Sequence, residues 1–149
     1  MGSELINGVK ITRLKEIISD KGSVLHFLRN DDSDFISFGE CYMSEINSDA
    51  IKGWKKHFEQ TQNIAVPIGK IKFVLFDSRD NSATKNLINE IIIDRNDNYI
   101  RLTIPPNIYY AFKNLNETRS LIVNCPDIPH NPLESEIIDI ASNLIPYQW

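Results

Sequence analysis

The sequence has little cysteine and no long apolar run. Two of its 149 residues are cysteine, too few for a disulfide framework or a multi-cysteine zinc site. Purely apolar runs reach three or four residues, as in Phe73–Phe76. A transmembrane helix needs roughly 20 such residues. The chain is therefore expected to be neither a disulfide scaffold nor a membrane-spanning protein.

The chain also lacks a surplus of positive charge. Sixteen Lys and Arg against twenty Asp and Glu give a net charge of −4. Neutralising nucleic-acid phosphates or binding an anionic membrane surface needs such a surplus, so we expect neither partner. Residues Met1–Glu4 show no basic region followed by an apolar stretch, which predicts no signal peptide. Cys41 and Cys125 lie in apolar stretches, so we expect two buried free thiols in a cytoplasmic protein.

The apolar residues fall into short segments rich in Val, Ile, Phe and Tyr, separated by turn residues. About nine such segments at 8–12-residue spacing predict an all-β sandwich or barrel rather than a βαβ fold. With no linker dividing it, the chain is predicted to be a single domain over residues 1–149. One short helix is expected within Pro132–Leu144. The predicted strands are Ser23–Leu28, Ile36–Glu45, Ala50–Phe58, Asn63–Ile68, Lys70–Phe76, Asn89–Ile93, Tyr99–Ile104, Tyr109–Lys113 and Ser120–Cys125.

The predicted strand Ala50–Phe58 carries two candidate reactive side chains. Side chains alternate between the two faces of a strand, so Lys55 and His57 share a face with Gly53. The opposite face is predicted to carry Lys52, Trp54, Lys56 and Phe58. A cation beside a titratable imidazole can form a reactive pair, but a charged, solvent-facing strand edge has the same pattern. Spacing alone leaves both interpretations open.

Basic residues alternate with apolar ones in two further strands. Lys72 lies in Lys70–Leu75 and Arg101 in Tyr99–Ile104. If these strands curl into a barrel, several basic side chains point into one mouth. They would then form an anion site suited to a phosphate-bearing small molecule. The alternative is that the same residues face solvent.

Six short patterns follow one another along roughly residues 9 to 140. In chain order they are Asp20-Lys21-Gly22, Lys52-Gly53-Trp54-Lys55, Trp54-Lys55-Lys56-His57 with Gln60-Thr61, Gly69–Arg79 with Ser82-Ala83-Thr84, Ile104–Phe112, and Asn131-Pro132-Leu133-Glu134. In that order they resemble patterns of the cupins related to dTDP-4-dehydrorhamnose 3,5-epimerase, a family that includes nucleotide-sugar keto-isomerases. No single pattern is highly specific for this family, but the occurrence of all six in the same order is specific.

The resemblance implies a cupin jelly-roll β-barrel, usually a homodimer, that acts on a nucleotide-linked 4-keto-6-deoxy sugar without a metal or other cofactor. Lys21 and Lys52 stand where the family patterns have two phosphate-contacting arginines. Gln60 belongs to the retained Gln-Thr pair. Lys72 and Arg101, from the predicted basic mouth, complete the expected substrate-binding set.

Two histidine positions of the family patterns carry other residues in this chain. Lys55 stands at the histidine of Arg-Gly-Leu-His, and Tyr110 stands at the histidine of the later Pro-x-Gly-x-x-His-Gly-Phe pattern. Epimerisation beside a ketone needs a base, a group that stabilises the enolate, and an acid. We hypothesise that His57 is the base, that protonated Lys55 stabilises the enolate, and that Tyr110 returns a proton. This set fits a single-position epimerase or a 3,4-keto-isomerase better than a double epimerase.

Two alternatives to a metal-independent enzyme are a metal-dependent cupin and a non-catalytic cupin. A cupin metal site would need a His-x-His…Glu…His set, but the chain has three histidines and His57 is preceded two positions earlier by Lys55, so no metal is expected. Loss of the usual histidines favours a non-catalytic cupin that binds a nucleotide sugar or glycan. Retention of His57 and Gln60 favours an enzyme of deoxy-sugar, O-antigen or capsule polysaccharide biosynthesis.

Overall fold

The computed structural model describes residues 4–149, whose regular secondary structure is almost entirely β-strand. Residues 1–3, on which part of the signal-peptide prediction rests, lie outside this range. The strands are β1 Lys10–Arg13, β2 Glu16–Ser19, β3 Gly22–Leu25, β4 Tyr42–Ile46, β5 Ile51–His57, β6 Gln62–Ile68, β7 Lys70–Asp77, β8 Ile88–Asp94, β9 Ile100–Ile104, β10 Ile108–Asn114, β11 Ser120–Asn124 and β12 Ser135–Ile137. A 3-10 helix spans Pro132–Glu134. Within residues 4–149, no helix has the length and apolar character to cross a membrane.

The strands pair into two large antiparallel sheets. The first sheet has the order β1-β9-β6-β11-β4, and the second has the order β12-β5-β10-β7-β8. Strands β2 and β3 form a separate two-stranded sheet. Neighbours in the five-stranded sheets are often far apart in sequence, as expected of a jelly roll. This architecture confirms the predicted all-β jelly-roll fold.

The main hydrophobic core contains apolar side chains from both large sheets. Ile64 and Leu102 come from the first sheet, and Phe73 and Leu75 come from the second, all essentially inaccessible to solvent. The two-residue alternation predicted for β7 and β9 therefore holds. Because the apolar set of each strand is the one turned into the core, the basic set that alternates with it is turned to the outer face.

A second cluster of apolar side chains lies on the outer face of the second sheet. Trp54 and Tyr109 belong to it, and the C-terminal segment 138–149 packs against it. Trp54 Nε1 donates to the carbonyl of Ile140 at 3.3 Å, and the Ile138 N–H donates to the Trp54 carbonyl at 3.1 Å. The ring of Trp149 lies 5.7 Å from that of Trp54. The C-terminal segment thus fixes β5 from outside.

The structure corrects the bounds of one predicted strand and the type of the predicted short helix. The predicted strand Ile36–Glu45 is a strand only from Tyr42, because segment 36–41 is held by isolated bonds, such as Gly39 N–H to the Pro126 carbonyl at 2.9 Å. The helix expected within Pro132–Leu144 is a single 3-10 turn followed by β12. The sequence also did not predict β1, β2 and β12 as strands.

The two cysteines face each other at one end of the β4–β11 pair. Tyr42 pairs with Asn124, so Cys41 and Cys125 occupy the next cross-strand position. Both are free thiols, and Cys125 is buried whereas Cys41 is exposed. The expectation of two buried thiols is therefore correct for Cys125 and wrong for Cys41.

Candidate active site

A cavity of about 220 Å³ lies between the two large sheets. Its lining is mainly aliphatic and aromatic, as at Phe73, Phe112 and Ile122. Its polar lining residues are Tyr42, Ser44 and Asn124 from the first sheet and Lys52, Lys55 and Tyr110 from the second. An apolar pocket with a few convergent polar groups is the usual form of a small-molecule site.

An irregularity in β5 brings an additional lysine to the cavity. Tyr110 pairs with Lys55 and Phe112 pairs with Lys52, so three steps along β5 match two along β10. The extra residue lies near Gly53, whose φ of +128° favours glycine and where a Cβ would stand 2.5 Å from that of Ala111. The bulge reverses the alternation of faces, so Lys52 lines the cavity together with Lys55. Its predicted placement on the opposite face was wrong.

Three side chains form a hydrogen-bonded series that ends at the cavity. Glu134 Oε1 is hydrogen bonded to His57 Nδ1. His57 Nε2 lies 3.3 Å from the hydroxyl of Tyr110, and Tyr110 lines the cavity. His57 is 4% exposed and is not itself among the cavity-lining residues. Tyr110 is therefore the member of the series that faces the cavity.

The surroundings of this series fix its protonation. Burial lowers the pKa of His57, although the Glu134 carboxylate acts in the opposite direction. Burial acts to raise the pKa of Glu134, but hydrogen bonds from His57 and from two backbone N–H groups outweigh it and hold that pKa below its usual value. Burial raises the pKa of Tyr110. At neutral pH the series therefore consists of a carboxylate, a neutral imidazole and a phenol, with a lone pair on His57 Nε2 facing the Tyr110 hydroxyl.

The two cavity lysines differ in their contacts. Lys55 is the cross-strand neighbour of Tyr110, which places its cation beside the hydrogen-bonded series. Lys52 Nζ donates to the Glu45 carbonyl at 3.1 Å. Within residues 4–149 neither lysine forms a salt bridge. Both charges are therefore available to an anionic ligand.

Gln60 lies behind the cavity in a chain of side-chain amides that also contains Gln62 and Asn124. Its Nε2 donates to the carbonyls of Ile128 and Pro129 at 2.9 and 3.2 Å, and its Oε1 accepts from Gln62 Nε2 at 3.0 Å. Gln62 Oε1 accepts from Asn124 Nδ2 at 2.6 Å. The same Nδ2 lies 2.9 Å from the Tyr42 hydroxyl. Gln60 therefore supports the cavity wall from behind.

Lys72 lies away from the cavity, contrary to the predicted basic mouth. Its ammonium donates to the Tyr147 hydroxyl at 2.9 Å and lies 5.3 Å from the ring centre of Trp149. It is on the outer face of β7 because the neighbouring Phe73 is turned into the core. Lys72 is therefore not part of the cavity lining, and its predicted substrate contact remains a prediction.

Arg101 is also on an outer face and serves a different purpose. Its guanidinium donates to the Phe27 carbonyl and Asp32 at 2.9 Å each, and to Asp34 at 2.8 Å. The loop that carries these acceptors covers Arg101, which is 1% exposed. Arg101 therefore holds the loop and does not line the cavity, contrary to the predicted basic mouth. Its predicted substrate contact remains a prediction.

Lys21 remains apart from the other predicted site residues. It lies exposed in the turn between β2 and β3 and is not among the residues that line the cavity. Its predicted phosphate contact remains a prediction.

The pattern that begins at Asp77 forms a structural cluster. The buried Asp77 carboxylate accepts bonds from Arg79 at 2.9 Å, Ser82 at 2.6 Å and Thr84 at 2.7 Å. Arg79 and Thr84 also bond the backbone of Asn7. This pattern therefore anchors a loop and the N-terminal segment.

Three residues of the site had no role predicted from the sequence. Glu134 was part of a recognised pattern but had no role, because its 77-residue separation from His57 gives no signal of contact. No local motif contains Tyr42 or Asn124. In β11, Asn124 belongs to a buried set that alternates with half-buried residues, which is the pattern that could have indicated its inward face. In β4 both Tyr42 and Met43 are exposed, so alternation gives no such signal for Tyr42. Within the described part of the chain, no group of three or more His, Cys, Asp or Glu side chains is arranged to hold a metal ion.

The chain is similar in sequence and structure to several known proteins. A dTDP sugar isomerase from Desulfovibrio desulfuricans G20 is 40% identical, with a TM-score of 0.94 over 97% of this chain and 92% of that one. The spore coat polysaccharide biosynthesis protein SpsL of Bacillus subtilis (strain 168) is 28% identical over 128 residues, 86% of this chain and 84% of that protein. No family model matches the chain.

A dTDP-4-dehydrorhamnose 3,5-epimerase from Bacillus anthracis str. Ames has a TM-score of 0.84 over 95% of this chain and 85% of that one. At 19% identity, this likeness establishes the fold alone. The 40% identity to the sugar isomerase over nearly the full length of both chains establishes kinship as well. The chain therefore belongs to the dTDP-4-dehydrorhamnose 3,5-epimerase-like cupins, a family of sugar epimerases and isomerases.

Proposed function

We propose that the protein is an epimerase or keto-isomerase that transfers a proton beside the C4 ketone of a nucleotide-linked 4-keto-6-deoxy sugar, in the biosynthesis of a polysaccharide or other glycan. The main support for this proposal is the hydrogen-bonded series Glu134–His57–Tyr110, which reaches the same cavity as the Lys55 cation. The similarity to a dTDP sugar isomerase supports the substrate class.

The cavity suits the sugar end of such a substrate. Pockets that enclose drug-sized ligands occupy about 300–1,000 Å³, and this cavity measures about 220 Å³. It therefore holds a hexose ring and leaves the nucleotide outside. Its apolar lining suits a 6-deoxy sugar, whose C6 is a methyl group. Lys52 is the basic residue placed to meet the diphosphate, and Lys21 is a second one if the substrate reaches it.

The hydrogen-bonded series acts as one proton-transfer unit. A neutral His57 is a base, but its Nε2 faces the Tyr110 hydroxyl rather than open cavity. Tyr110 takes the proton from the carbon beside the ketone while passing its own proton to His57. The Glu134 carboxylate holds the His57 ring and stabilises the imidazolium that forms. Reversal of these transfers returns a proton on the same side of the sugar.

Lys55 stabilises the charge that this step creates. Removing the proton moves an electron pair towards the C4 oxygen, which becomes an enolate oxygen. A cation in an apolar cavity lowers the energy of that oxyanion, because little water screens it. Lys55 neighbours Tyr110 across the strand pair, so the base and the electrophile act at adjacent atoms of the substrate.

The proposal is tested by incubating the protein with dTDP-4-keto-6-deoxyglucose in deuterated water and following the sugar by NMR. We expect deuterium at a carbon beside the ketone and a new sugar isomer, with no exchange in dTDP-glucose, which has no ketone. A shift in melting temperature with dTDP, but no exchange or conversion of the keto sugar, would instead support a non-catalytic nucleotide-sugar binding protein.

We also propose that the protein is a cytoplasmic homodimer without nucleic-acid or membrane partners. The β2–β3 sheet exposes Ile18 and Val24, and the edge strand β4 exposes Met43. Exposed apolar side chains and sheet edges favour pairing with a second copy. Light scattering should give a mass twice that of one chain, and the Ile18→Asp variant should have the mass of a single chain. A wild-type monomer would contradict this.

A further inference from the structure

The two cysteines of the chain face each other where strands β4 and β11 end, behind one wall of the cavity. Tyr42 and Asn124 form the last pair of this ladder, and both line the cavity. Cys41 and Cys125 are the next residues on the two strands. Because side chains alternate between faces, the two thiols lie on the outer face of the sheet.

Backbone hydrogen bonds show that the two chains stay in register beyond the ladder. The Glu40 N–H donates to the Pro126 carbonyl at 3.4 Å, one step past the cysteines. The Cys125 N–H donates to the Asn63 carbonyl of β6 at 2.9 Å, so it points away from β4. The cysteines therefore form a non-hydrogen-bonded cross-strand pair, in which Cα atoms lie about 4.5 Å apart.

This placement suits a disulfide bond. Disulfides usually join residues whose Cα atoms are about 4.4–6.8 Å apart, and the opposed pair falls within that range. The Cys41 thiol is also close enough to that of Cys125 to contribute to the raised pKa of Cys125. The bond can therefore form with little movement of the backbone.

The two thiols differ in their access to solvent. Cys41 is exposed, whereas Cys125 is buried at 5% exposure. Burial raises the pKa of Cys125 to about 11, so it remains a thiol at neutral pH. Because the thiolate of an accessible cysteine is the reactive form, an external oxidant meets Cys41 and not Cys125.

From this geometry we infer that Cys41 and Cys125 form a reversible thiol-oxidation site, at which a small disulfide such as oxidised glutathione is reduced and an intrachain disulfide forms. The Cys41 thiolate attacks one sulfur of oxidised glutathione, whose S–S bond breaks and releases one glutathione. Cys125 then attacks the Cys41 sulfur, and the second glutathione leaves. The two thiol protons of the protein end on the two released glutathiones. Two protein thiols are thus oxidised while one small disulfide is reduced to two thiols.

The bond acts on the cavity through β4. Within the described residues, β4 is an edge strand that pairs with β11 alone. A covalent link beside Tyr42 and Asn124 restrains the separation of the two strands at the point where they line the cavity. One partner of the bond is exposed, and exposed disulfides are the readily reduced ones, so the link is reversible. The chemistry needs no sugar substrate and does not rest on the proposed function.

The test treats the folded wild-type protein with oxidised glutathione and follows it by intact mass, thiol titration and non-reducing electrophoresis. We expect loss of both thiols, no bound glutathione, the mass of a single chain, and a peptide pair joined through Cys41 and Cys125. Excess reduced glutathione should restore both thiols. Amide hydrogen exchange in Tyr42–Ile46 should slow at least about threefold in the oxidised protein.

Two variants separate the steps. Cys125→Ser should retain one glutathione on Cys41, because no second thiol displaces it. Cys41→Ser should stay unmodified, because the remaining thiol is buried. The wild-type result stands without either variant if one fails to fold. Chains joined to each other through Cys41, wild type that retains glutathione, or thiols that stay reduced would overturn the inference. So would a disulfide that excess reduced glutathione leaves intact, or unchanged amide exchange in β4.

Discussion

At the scale of single residues, the protonation of His57 depends on opposing effects of burial and a carboxylate. Burial lowers its pKa below 6.5, and Glu134 partly offsets this. The base form is therefore present above this lowered pKa and is lost as the pH falls through it. The unfolded chain binds a proton at His57 more readily, so folding stability should also decline as the pH falls below about 6.5.

Glu134→Gln tests this arrangement through the pH profile. Removing the carboxylate removes the effect that raises the pKa of His57, so the acid limb of kcat/KM should move to lower pH. The rate above that limb should fall about 10- to 100-fold, because one amide oxygen cannot accept from His57 and from the backbone N–H groups of Glu59 and Gln60 together. Profiles from pH 4.5 to 8 measure both effects. An acid limb that moves to higher pH would contradict the assigned role of Glu134.

Lys55→Met tests the proposed stabilisation of the enolate. The substitution keeps most of the side-chain volume and removes the cation, so kcat should fall about 100-fold or more with little change in dTDP affinity. Lys56→Met is the matched control, since Lys56 is the next residue but pairs with Glu136 at 2.8 Å on the outer face. Steady-state kinetics measure both variants. An equal loss of activity in Lys55→Met and Lys56→Met would contradict the proposed role of Lys55.

At the scale of secondary-structure elements, β5 shows where sequence periodicity succeeds and where it fails. Alternation correctly placed Lys55 and His57 on the same side of the strand, because no irregularity lies between them. It misplaced Lys52 because the bulge near Gly53 depends on the close approach of β10, which no local pattern encodes. Alternation predicts which side chains of a strand share a face. A single extra residue exchanges the two faces for every residue on the far side of the bulge.

The loop after β7 gives a prediction at the same scale. Burial acts to raise the pKa of Asp77, but bonds from Arg79, Ser82 and Thr84 outweigh it and hold that pKa far below 3.8. The stability it confers is fully present above its unfolded pKa and is lost as pH falls through the folded value. Asp77→Asn should therefore lower the free energy of unfolding at pH 7 by about 3–5 kcal/mol and flatten its acid dependence.

Urea melts between pH 3 and pH 7 measure this difference. Asp80→Asn is the control in the same loop, because Asp80 pairs with Lys85 on an exposed surface and its loss should leave the melt unchanged. Equal melts for Asp77→Asn and wild type would show that the cluster does not anchor the loop.

At the scale of the whole molecule, the all-β architecture could be predicted because turn residues separate the strands at regular spacing. The position of each strand face relative to the core could not. Lys72 and Arg101 alternate with apolar residues as predicted, but burying the apolar set turns both cations outward. The loop over Arg101 and the C-terminal segment over Lys72 are long-range contacts without a local sequence signal. The sequence therefore predicted the class of site, a small-molecule cavity with basic side chains, but only some of the residues that line it.

Arg101→Met separates a structural role from a substrate-binding role. Removing the guanidinium leaves Asp32 and Asp34 without their partner, so the free energy of unfolding should fall by about 3 kcal/mol. The dTDP affinity of the folded variant should stay within about twofold. Arg119→Met, which breaks an exposed pair with Glu45, should cost less than about 1 kcal/mol. A stable Arg101→Met protein that binds dTDP tenfold more weakly would instead support the predicted substrate contact of Arg101.

The most direct test of the whole account is a crystal structure with dTDP-6-deoxyglucose, which has no ketone and cannot react. The account predicts a hexose ring between the two sheets, with the C4 oxygen at Lys55 and a neighbouring ring carbon about 3–3.5 Å from the Tyr110 hydroxyl. The diphosphate should lie outside the cavity near Lys52. A sugar bound away from the cavity, with Tyr110 and Lys55 untouched, would contradict it.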